Sequence, residues 1–155
     1  MTKSNAIKSL QRWLFRELPI YEHIGATVEQ IGATVCCRVP LNNDNRNHFG
    51  AVHAALQFAV CEMAGGLAIN QSPSIRSGEY LLVVKSLNLD FLKPAMSDVE
   101  AVATISDQQL SEIEDSLRAN GKVQFELVIM LRDQEDIAVA KATGVYYASK
   151  RKTKE

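Results

Sequence analysis

A glutamate in the middle of an apolar segment is the residue that points most directly to chemistry. Glu62 lies within residues 51–69, where nearly every other side chain is apolar or small, and His53 stands near the start of this run. An ionised carboxylate without a partner is costly to bury. Glu62 therefore either reaches solvent through a gap in the packing or works as a general base in a dry site. The sequence leaves both interpretations open.

The spacing between His53 and Glu62 limits how the two residues can cooperate. They are nine positions apart, which on one helix corresponds to a rise of about 13 Å and about half a turn of rotation. The two side chains therefore cannot touch within one chain. Two such helices packed antiparallel about a two-fold axis would bring the start of one near the middle of the other. Shared chemistry thus requires a dimer.

The start of the same helix offers a second chemical group. Backbone N–H groups in the first turn of a helix have no acceptor within the helix and carry the positive end of its dipole. In the segment AVHAA these are the N–H groups of residues 52–55, and only His53 is bulky. Such groups can stabilise a developing oxyanion on a carbonyl.

Hydrophobic periodicity predicts the elements that position these residues. Apolar residues at helical spacing predict helices at residues 6–18, 50–70 and 107–120. Alternating or β-branched stretches predict strands within residues 24–39 (two strands around Gly32), 81–93, 99–106, 122–132 and 137–149. Because strands and helices do not alternate, we expect an α+β protein with one antiparallel sheet packed on the long helix. That helix is apolar on nearly all sides, which favours a second subunit.

Length and composition fit one ordinary globular domain. The chain has 155 residues and a net charge of −1, which predicts a single domain over 1–155 and no nucleic-acid partner. Within it we expect an N-terminal helix in residues 1–19 and a basic, frayed tail at 150–155. No stretch is apolar enough to predict a membrane span. Three cysteines, an odd number, and charges throughout the first twenty residues predict a cytoplasmic location.

The sequence lacks the common motifs for metals and nucleotides. His48 and His53 do not have the spacing of a zinc-binding helix, and Cys36 and Cys37 are adjacent, which makes them a poor ligand pair within a strand. No glycine-rich phosphate loop and no serine nucleophile elbow is present. We expect neither a metal nor a cofactor.

The segment NHFGAVHAALQFAVCEMAGG resembles the central helix of hot-dog fold acyl-CoA thioesterases, in particular the PaaI-like and YiiD-like branches. Their motif is Asn-x-x-Gly-x-x-His-Gly-Gly, with an acidic residue nine positions after the histidine. The matching residues here are Asn47, Gly50, His53 and Glu62. Downstream, VVKSLNLDFLKPA is similar to the family's strand that ends in an aromatic residue, two further residues and a proline.

Three departures from the family pattern bear on the site. Ala54 and Ala55 replace the Gly-Gly pair. Alanine keeps the backbone N–H groups, but its methyl groups make the pocket tighter. The acid, which is often Asp in the family, is the longer Glu62. Some relatives place Ser or Thr on the strand, where this chain has Val83 and Val84.

The resemblance implies a fold, an assembly and a set of roles. The fold would be a long central helix wrapped by a curved antiparallel sheet of about six strands, in a homodimer or homotetramer with sites at the subunit boundary. Glu62 would activate water or attack a thioester carbonyl, Asn47 would position the water or the thioester, and the Ala54 N–H would hold the oxyanion. His53 would orient the site. The substrate would be an acyl thioester, and the products a carboxylate and a free thiol such as coenzyme A.

Two alternatives remain on the same fold. Hot-dog hydroxyacyl-thioester dehydratases carry His-Phe and an acidic residue fourteen positions after the histidine, a spacing that His48, Phe49 and Glu62 also match. The prolines that those enzymes have in between are missing here. A non-catalytic acyl-thioester-binding domain is the other alternative, because fold alone does not determine chemistry.

Overall fold

A computed structural model describes residues 3–151 and shows the long apolar helix packed on a single sheet. The helices are α1 (Lys3–Glu17), α2 (Pro19–His23), α3 (Ala54–Ile69), α4 (Pro73–Arg76) and α5 (Asp107–Asn120). The strands are β1 (Thr27–Gln30), β2 (Thr34–Val39), β3 (Tyr80–Phe91), β4 (Val99–Thr104), β5 (Lys122–Arg132) and β6 (Ala138–Lys150).

The six strands form one antiparallel sheet in the order β1-β2-β4-β5-β6-β3. Helix α3 lies across one face of it and contacts β2, β3, β4, β5 and β6. The predicted α+β architecture, with a long helix against about six antiparallel strands, is therefore confirmed. Strands β1 and β3 are the two edges of the sheet, and β3 is the longer of them.

Helix α3 begins later than residue 50, where the sequence predicted its start. Gly50 has a φ of +80° and belongs to a turn, a conformation that glycine adopts without steric cost. His53 is the N-cap, and its Nδ1 accepts a hydrogen bond from the Ala55 N–H at 3.1 Å. The helix is thus capped by a side chain whose imidazole the resemblance had assigned to the site.

Several other boundaries differ from the predicted ones for local reasons. Pro19 follows the end of α1 and is also the first residue of α2, because proline suits the first turn of a helix. The loop predicted after α3 contains the short helix α4. Lys150 is the last residue of β6, and its N–H donates to the Gly121 carbonyl at 2.9 Å. The predicted tail at 150–155 therefore begins too early, and residues 152–155 lie outside the described part of the chain.

Helix α5 has the predicted bounds because its sequence contains both of its caps. Ser106 and Gln109 form a reciprocal capping box at the start, and Gly121, with a φ of +67°, ends the helix.

Within residues 3–151, every helix is too short or too polar to cross a membrane.

The side chain of Glu114 joins α5 to α4. Its carboxylate accepts hydrogen bonds from the hydroxyl of the fully buried Ser72 and from the N–H and hydroxyl of Ser74, the last two at 3.1 and 2.6 Å. Burial raises the pKa of Glu114, but these hydrogen bonds outweigh it and hold the pKa below its ordinary value of 4.5. We expect Glu114→Gln to lower the free energy of unfolding at neutral pH by about 1–3 kcal/mol.

The pH dependence of this effect has a defined sign. A carboxyl whose pKa is lowered by folding stabilises the protein above its unfolded pKa and loses that contribution as the pH falls through its folded pKa. The difference in the free energy of unfolding between wild type and Glu114→Gln, measured with urea, should therefore have its full value at pH 7. It should shrink below about pH 4.5. A difference that stays constant down to pH 3 would contradict this account.

Candidate active site

A cavity of about 560 Å³ opens beside the middle of α3, between that helix, α1, α2, α4 and the start of β3. Its volume lies in the range of small-molecule sites, about 300–1,000 Å³. Apolar side chains supply most of its wall, among them Trp13, Leu14, Leu18, Met63, Leu67 and Ile75. Glu62 is half-buried in this wall, and its carboxylate is the only carboxyl group among the described residues that line the cavity.

Glu62 has one hydrogen-bond donor among residues 3–151, and that donor is Tyr21. The Tyr21 hydroxyl on α2 donates to Glu62 Oε2, and the Tyr21 side chain is only 6% exposed. Burial, and then Glu62 itself, raise the pKa of the Tyr21 hydroxyl well above its ordinary value. Tyr21 therefore remains a donor at neutral pH, and Glu62 Oε1 has no hydrogen-bond partner among residues 3–151.

The two glycines that follow Glu62 have different surroundings. A Cβ at Gly65 would lie 1.9 Å from the Tyr146 hydroxyl, so the side chain of Tyr146 occupies the space beside this glycine. At Gly66 no atom lies within 4 Å of such a Cβ, and Gly66 lines the cavity. Ile69, seven positions after Glu62, is fully buried. Only Gly66 of these leaves room beside the carboxylate.

Two further titratable groups lie behind Glu62. Burial, and then Glu62 and Cys61, raise the pKa of the Tyr146 hydroxyl, which has no hydrogen-bond partner within the described chain. Burial raises the pKa of Cys61 to about 12, so its thiol stays protonated at neutral pH and is not a nucleophile. Cys61 is completely buried and packs in the core.

Asn47 shapes the loop before α3 with its side-chain oxygen. Asn47 Oδ1 accepts hydrogen bonds from the N–H groups of Phe49 at 2.9 Å and Ala51 at 3.1 Å. This oxygen already accepts two hydrogen bonds within the turn and is not free to accept one from water. The Nδ2 group makes no hydrogen bond to residues 3–151 and is the part of Asn47 that can meet a ligand.

Most backbone N–H groups at the start of α3 donate hydrogen bonds within the chain. This corrects the prediction that the N–H groups of residues 52–55 are all free. The Val52 N–H donates to Ala95 O at 2.9 Å and the His53 N–H to Asn45 O at 2.8 Å. The Ala55 N–H donates to the His53 imidazole. Among residues 52–55, only the Ala54 N–H has no acceptor within the described chain, and Ala54 is exposed.

The chain by itself therefore brings together only part of the predicted site. Asn47, His53 and Ala54 lie at the start of α3, whereas Glu62 lies further along the helix and faces a cavity that none of the three lines. His48, the residue of the dehydratase hypothesis, is exposed and contacts the Phe49 ring at a centroid distance of 3.8 Å. It does not line the cavity either.

Two residues of this region were not predicted from the sequence. Tyr21 looked like an ordinary residue after a helix-ending proline, and Asn45 like one polar residue of an asparagine-rich loop. Asn45 is buried, and its Nδ2 donates to the carbonyls of Ile24 and Pro40, both at 2.9 Å. Asn45 thereby fixes the loop that carries Asn47 and His53. Within residues 3–151, no three His, Cys, Asp or Glu side chains are grouped as metal ligands would be.

Comparison with known proteins places the chain in a family. Residues 7–147 match the model of a domain of unknown function, DUF4442. No curated protein matches the chain. A Pseudomonas aeruginosa protein of unknown function, called a probable thioesterase, has a similar structure with 25% identity and a TM-score of 0.83, covering 93% of this chain and 96% of that chain.

Two further solved structures share the fold. A thioesterase from Haemophilus influenzae is 17% identical with a TM-score of 0.73, covering 93% of this chain and 90% of that chain. A variant of another thioesterase from Pseudomonas aeruginosa is 15% identical with a TM-score of 0.74, covering 94% of each chain. The chain belongs to the DUF4442 family and has the fold of the hot-dog thioesterase superfamily.

Proposed function

We propose that the protein hydrolyses an acyl thioester of coenzyme A, with Glu62 as the general base or the nucleophile. The observation that carries this proposal is a half-buried carboxylate in the wall of a largely apolar cavity of about 560 Å³. An apolar wall suits an acyl chain, and a carboxylate near its surface suits the attack on a carbonyl. Membership of the thioesterase superfamily supports the same reaction class.

In the general-base route, Glu62 takes a proton from water while the water oxygen attacks the thioester carbonyl. The carbonyl electrons move onto oxygen, and a backbone N–H holds the resulting oxyanion. The C–S bond then breaks, the thiolate leaves with the proton, and the acid and the thiol are released. In the nucleophilic route, Glu62 attacks the carbonyl itself, the C–S bond breaks and the thiolate leaves, which forms a mixed anhydride. Water then hydrolyses the anhydride to the acid and the free Glu62 carboxylate, and the proton released from water ends on the thiol.

We propose that the oxyanion donor comes from a second copy of the chain. Ala54 and Glu62 are eight positions apart on α3, a rise of about 12 Å, which is too far for one carbonyl to meet both. Antiparallel packing of α3 in two copies would place the start of one helix beside the middle of the other. The site would then contain the Ala54 N–H and Asn47 Nδ2 of one copy and Glu62 of the other, with His53 fixing the helix start.

Two exposed features of the chain support such a dimer. The edge strand β3 exposes Leu81, Val83 and Val84, at 48%, 43% and 37%, and its outer backbone groups are unpaired within the described chain. Long apolar edge strands tend to pair with another strand. On α3, the exposed Phe58 lies on the same side as Ala55 and Glu62. A second copy could cover both features at once.

The reaction class is tested with a panel of acyl-CoAs of varied chain length and a thiol-trapping dye. We expect release of free thiol from at least part of the panel. Traces that stay flat for every member would reject hydrolysis. Hydration of an enoyl thioester without hydrolysis would support a dehydratase, and tight binding without turnover that Glu62→Gln leaves unchanged would support a binding domain.

The shared site is tested by Ala54→Pro. Proline lacks an N–H but suits the first turn of a helix, and His53 before it already has the extended conformation that proline requires, with φ −61° and ψ 141°. The variant should therefore keep the helix and lose the oxyanion donor. We expect kcat to fall about 10²–10³-fold, while the control Ala54→Gly, which keeps the N–H, retains most activity.

Complementation then shows whether the two groups come from different copies. If Ala54→Pro and Glu62→Gln chains are co-expressed in equal amounts, half of the dimers are mixed, and each mixed dimer has one intact site. About a quarter of the wild-type activity should return. Co-expressed chains that remain inactive although mixed dimers form would contradict a site shared in this way.

A further inference from the structure

We propose that Tyr21 is a positioning residue for Glu62, which holds the carboxylate so that its free oxygen faces the thioester. This inference rests on the proposed hydrolysis and adds to it a residue that lies outside the segments resembling the thioesterase motifs. The two residues are 41 positions apart in the chain, and the hydroxyl of Tyr21 donates to Glu62 Oε2. The short helix α2 would thereby control the reactivity of a group on α3.

The position of Tyr21 is fixed by the elements on both sides of it. Its carbonyl accepts a hydrogen bond from the Ala26 N–H at 2.8 Å. Gln11 on α1 bridges to the same segment, because its Nε2 donates to Ala26 O at 3.1 Å and its Oε1 accepts from the Val28 N–H at 2.6 Å. Helices α1 and α2 and strand β1 are therefore connected around the backbone of Tyr21, and the burial of its side chain restricts the phenol.

Glu62 needs such a restraint because nothing else among residues 3–151 donates to it. A glutamate side chain has several rotatable bonds, and most of its rotamers would point the carboxylate away from a substrate. One hydrogen bond to Oε2 selects a rotamer and leaves Oε1 for the reaction. Preorganisation of this kind contributes to rate because reacting groups act only within a narrow range of geometry.

The second buried tyrosine near Glu62 provides a comparison within the same site. The Tyr146 hydroxyl is closely packed against Gly65 and makes no hydrogen bond within the described chain. Both tyrosines are nearly buried, at 6% for Tyr21 and 1% for Tyr146, yet only Tyr21 donates to the carboxylate. The contact is therefore not a general consequence of crowding tyrosines around α3.

The titratable groups around the carboxylate define how the test can be read. The groups on the packed elements and along the cavity are Tyr21 on α2, Cys37 on β2, Cys61 on α3, Arg76 on α4, Tyr80 on β3, Tyr146 on β6, and Arg151. Glu62 is the only carboxyl group in this set. A donor at position 21 therefore acts on the one carboxylate that lines this cavity among the described residues.

The experiment compares Tyr21→Phe with wild type in acyl-CoA hydrolysis at neutral pH. Phenylalanine keeps the packed ring and removes the donor. We expect kcat to fall roughly tenfold to a hundredfold with little change in KM. Tyr147→Phe, which removes a hydroxyl on the β6 strand away from the cavity, is the matched control.

A double-mutant cycle separates positioning from a purely structural role. If Tyr21 acts through the carboxylate, Tyr21→Phe should cause no further loss of residual activity in a Glu62→Gln background. An equal loss in both backgrounds would overturn the proposal, as would a Tyr21→Phe variant whose melting temperature falls while its kcat stays unchanged.

A second variant covers the case in which Tyr21→Phe does not fold. Incorporation of 4-fluorophenylalanine at position 21 nearly keeps the shape of the side chain and removes the donor. Its kcat should fall roughly tenfold to a hundredfold with little change in KM, and an unchanged kcat would overturn the proposal. A wild-type chain that hydrolyses no acyl-CoA rejects the proposed function itself, whereas an active wild type with an unaffected Tyr21→Phe rejects only the role of Tyr21.

Discussion

Glu62→Gln is expected to reduce kcat for acyl-CoA hydrolysis by about 10²–10⁴-fold, the usual contribution of a positioned general base. Glutamine has nearly the same shape as glutamate, and its side-chain oxygen can still accept the hydrogen bond from Tyr21. The fold and the assembly should therefore persist, and the loss should lie in the chemical step. Steady-state kinetics with the best substrate of the acyl-CoA panel measures the effect.

Controls for this variant address charge and folding separately. Glu135→Gln removes the same charge from an exposed position in the loop between β5 and β6 and should leave kcat unchanged. The melting temperature and the sedimentation coefficient of Glu62→Gln should match those of wild type. Retention of more than about a tenth of the wild-type kcat would show that Glu62 is neither base nor nucleophile.

Glu62 could be identified from the sequence because the feature that marks it is local. A charged residue inside an apolar helical segment is costly to bury, whatever the rest of the fold is. The bounds of α5 were predictable for a related reason, since Ser106, Gln109 and Gly121 form both caps within the helix and the one residue on either side of it. Predictions succeeded where nearby residues determine the structure.

Tyr21 could not be identified in this way because its partner is far away in the chain. Nothing in the residues around Tyr21 encodes the hydrogen bond to Glu62, which exists only after α2 has packed beside α3. Tertiary contacts also explain why, among residues 52–55, the N–H of Ala54 is free within the described chain. The N–H groups of Val52 and His53 donate to the carbonyls of Ala95 and Asn45, which the fold brings to the start of α3. Long-range pairing therefore decides which groups of a recognisable motif remain available.

The contrast between Gly65 and Gly66 leads to the prediction with the largest effect on stability. A Cβ at Gly65 would lie 1.9 Å from the Tyr146 hydroxyl, 2.8 Å from its Cζ and 3.3 Å from Ile129 Cδ1. Tyr146 cannot easily retreat, because it is 1% exposed and stacks on Phe125 at a ring-centroid distance of 5.9 Å. Overpacking of this kind outweighs the gain of about 1 kcal/mol that alanine brings to a helix. We expect Gly65→Ala to lower the free energy of unfolding by about 3 kcal/mol.

Gly66→Ala is the matched control, because it makes the same substitution one position later in the same helix. No atom lies within 4 Å of a Cβ at this position, so only the helix propensity changes, and we expect a gain of about 0.5–1 kcal/mol. Urea unfolding of both variants measures the difference. Adding Tyr146→Phe to Gly65→Ala should restore part of the lost stability, because it removes the oxygen at 1.9 Å but leaves the ring carbon at 2.8 Å. Equal stabilities for the two alanine variants would show that Tyr146 does not occupy the space beside Gly65. They would contradict the close packing of Tyr146 against α3 behind Glu62.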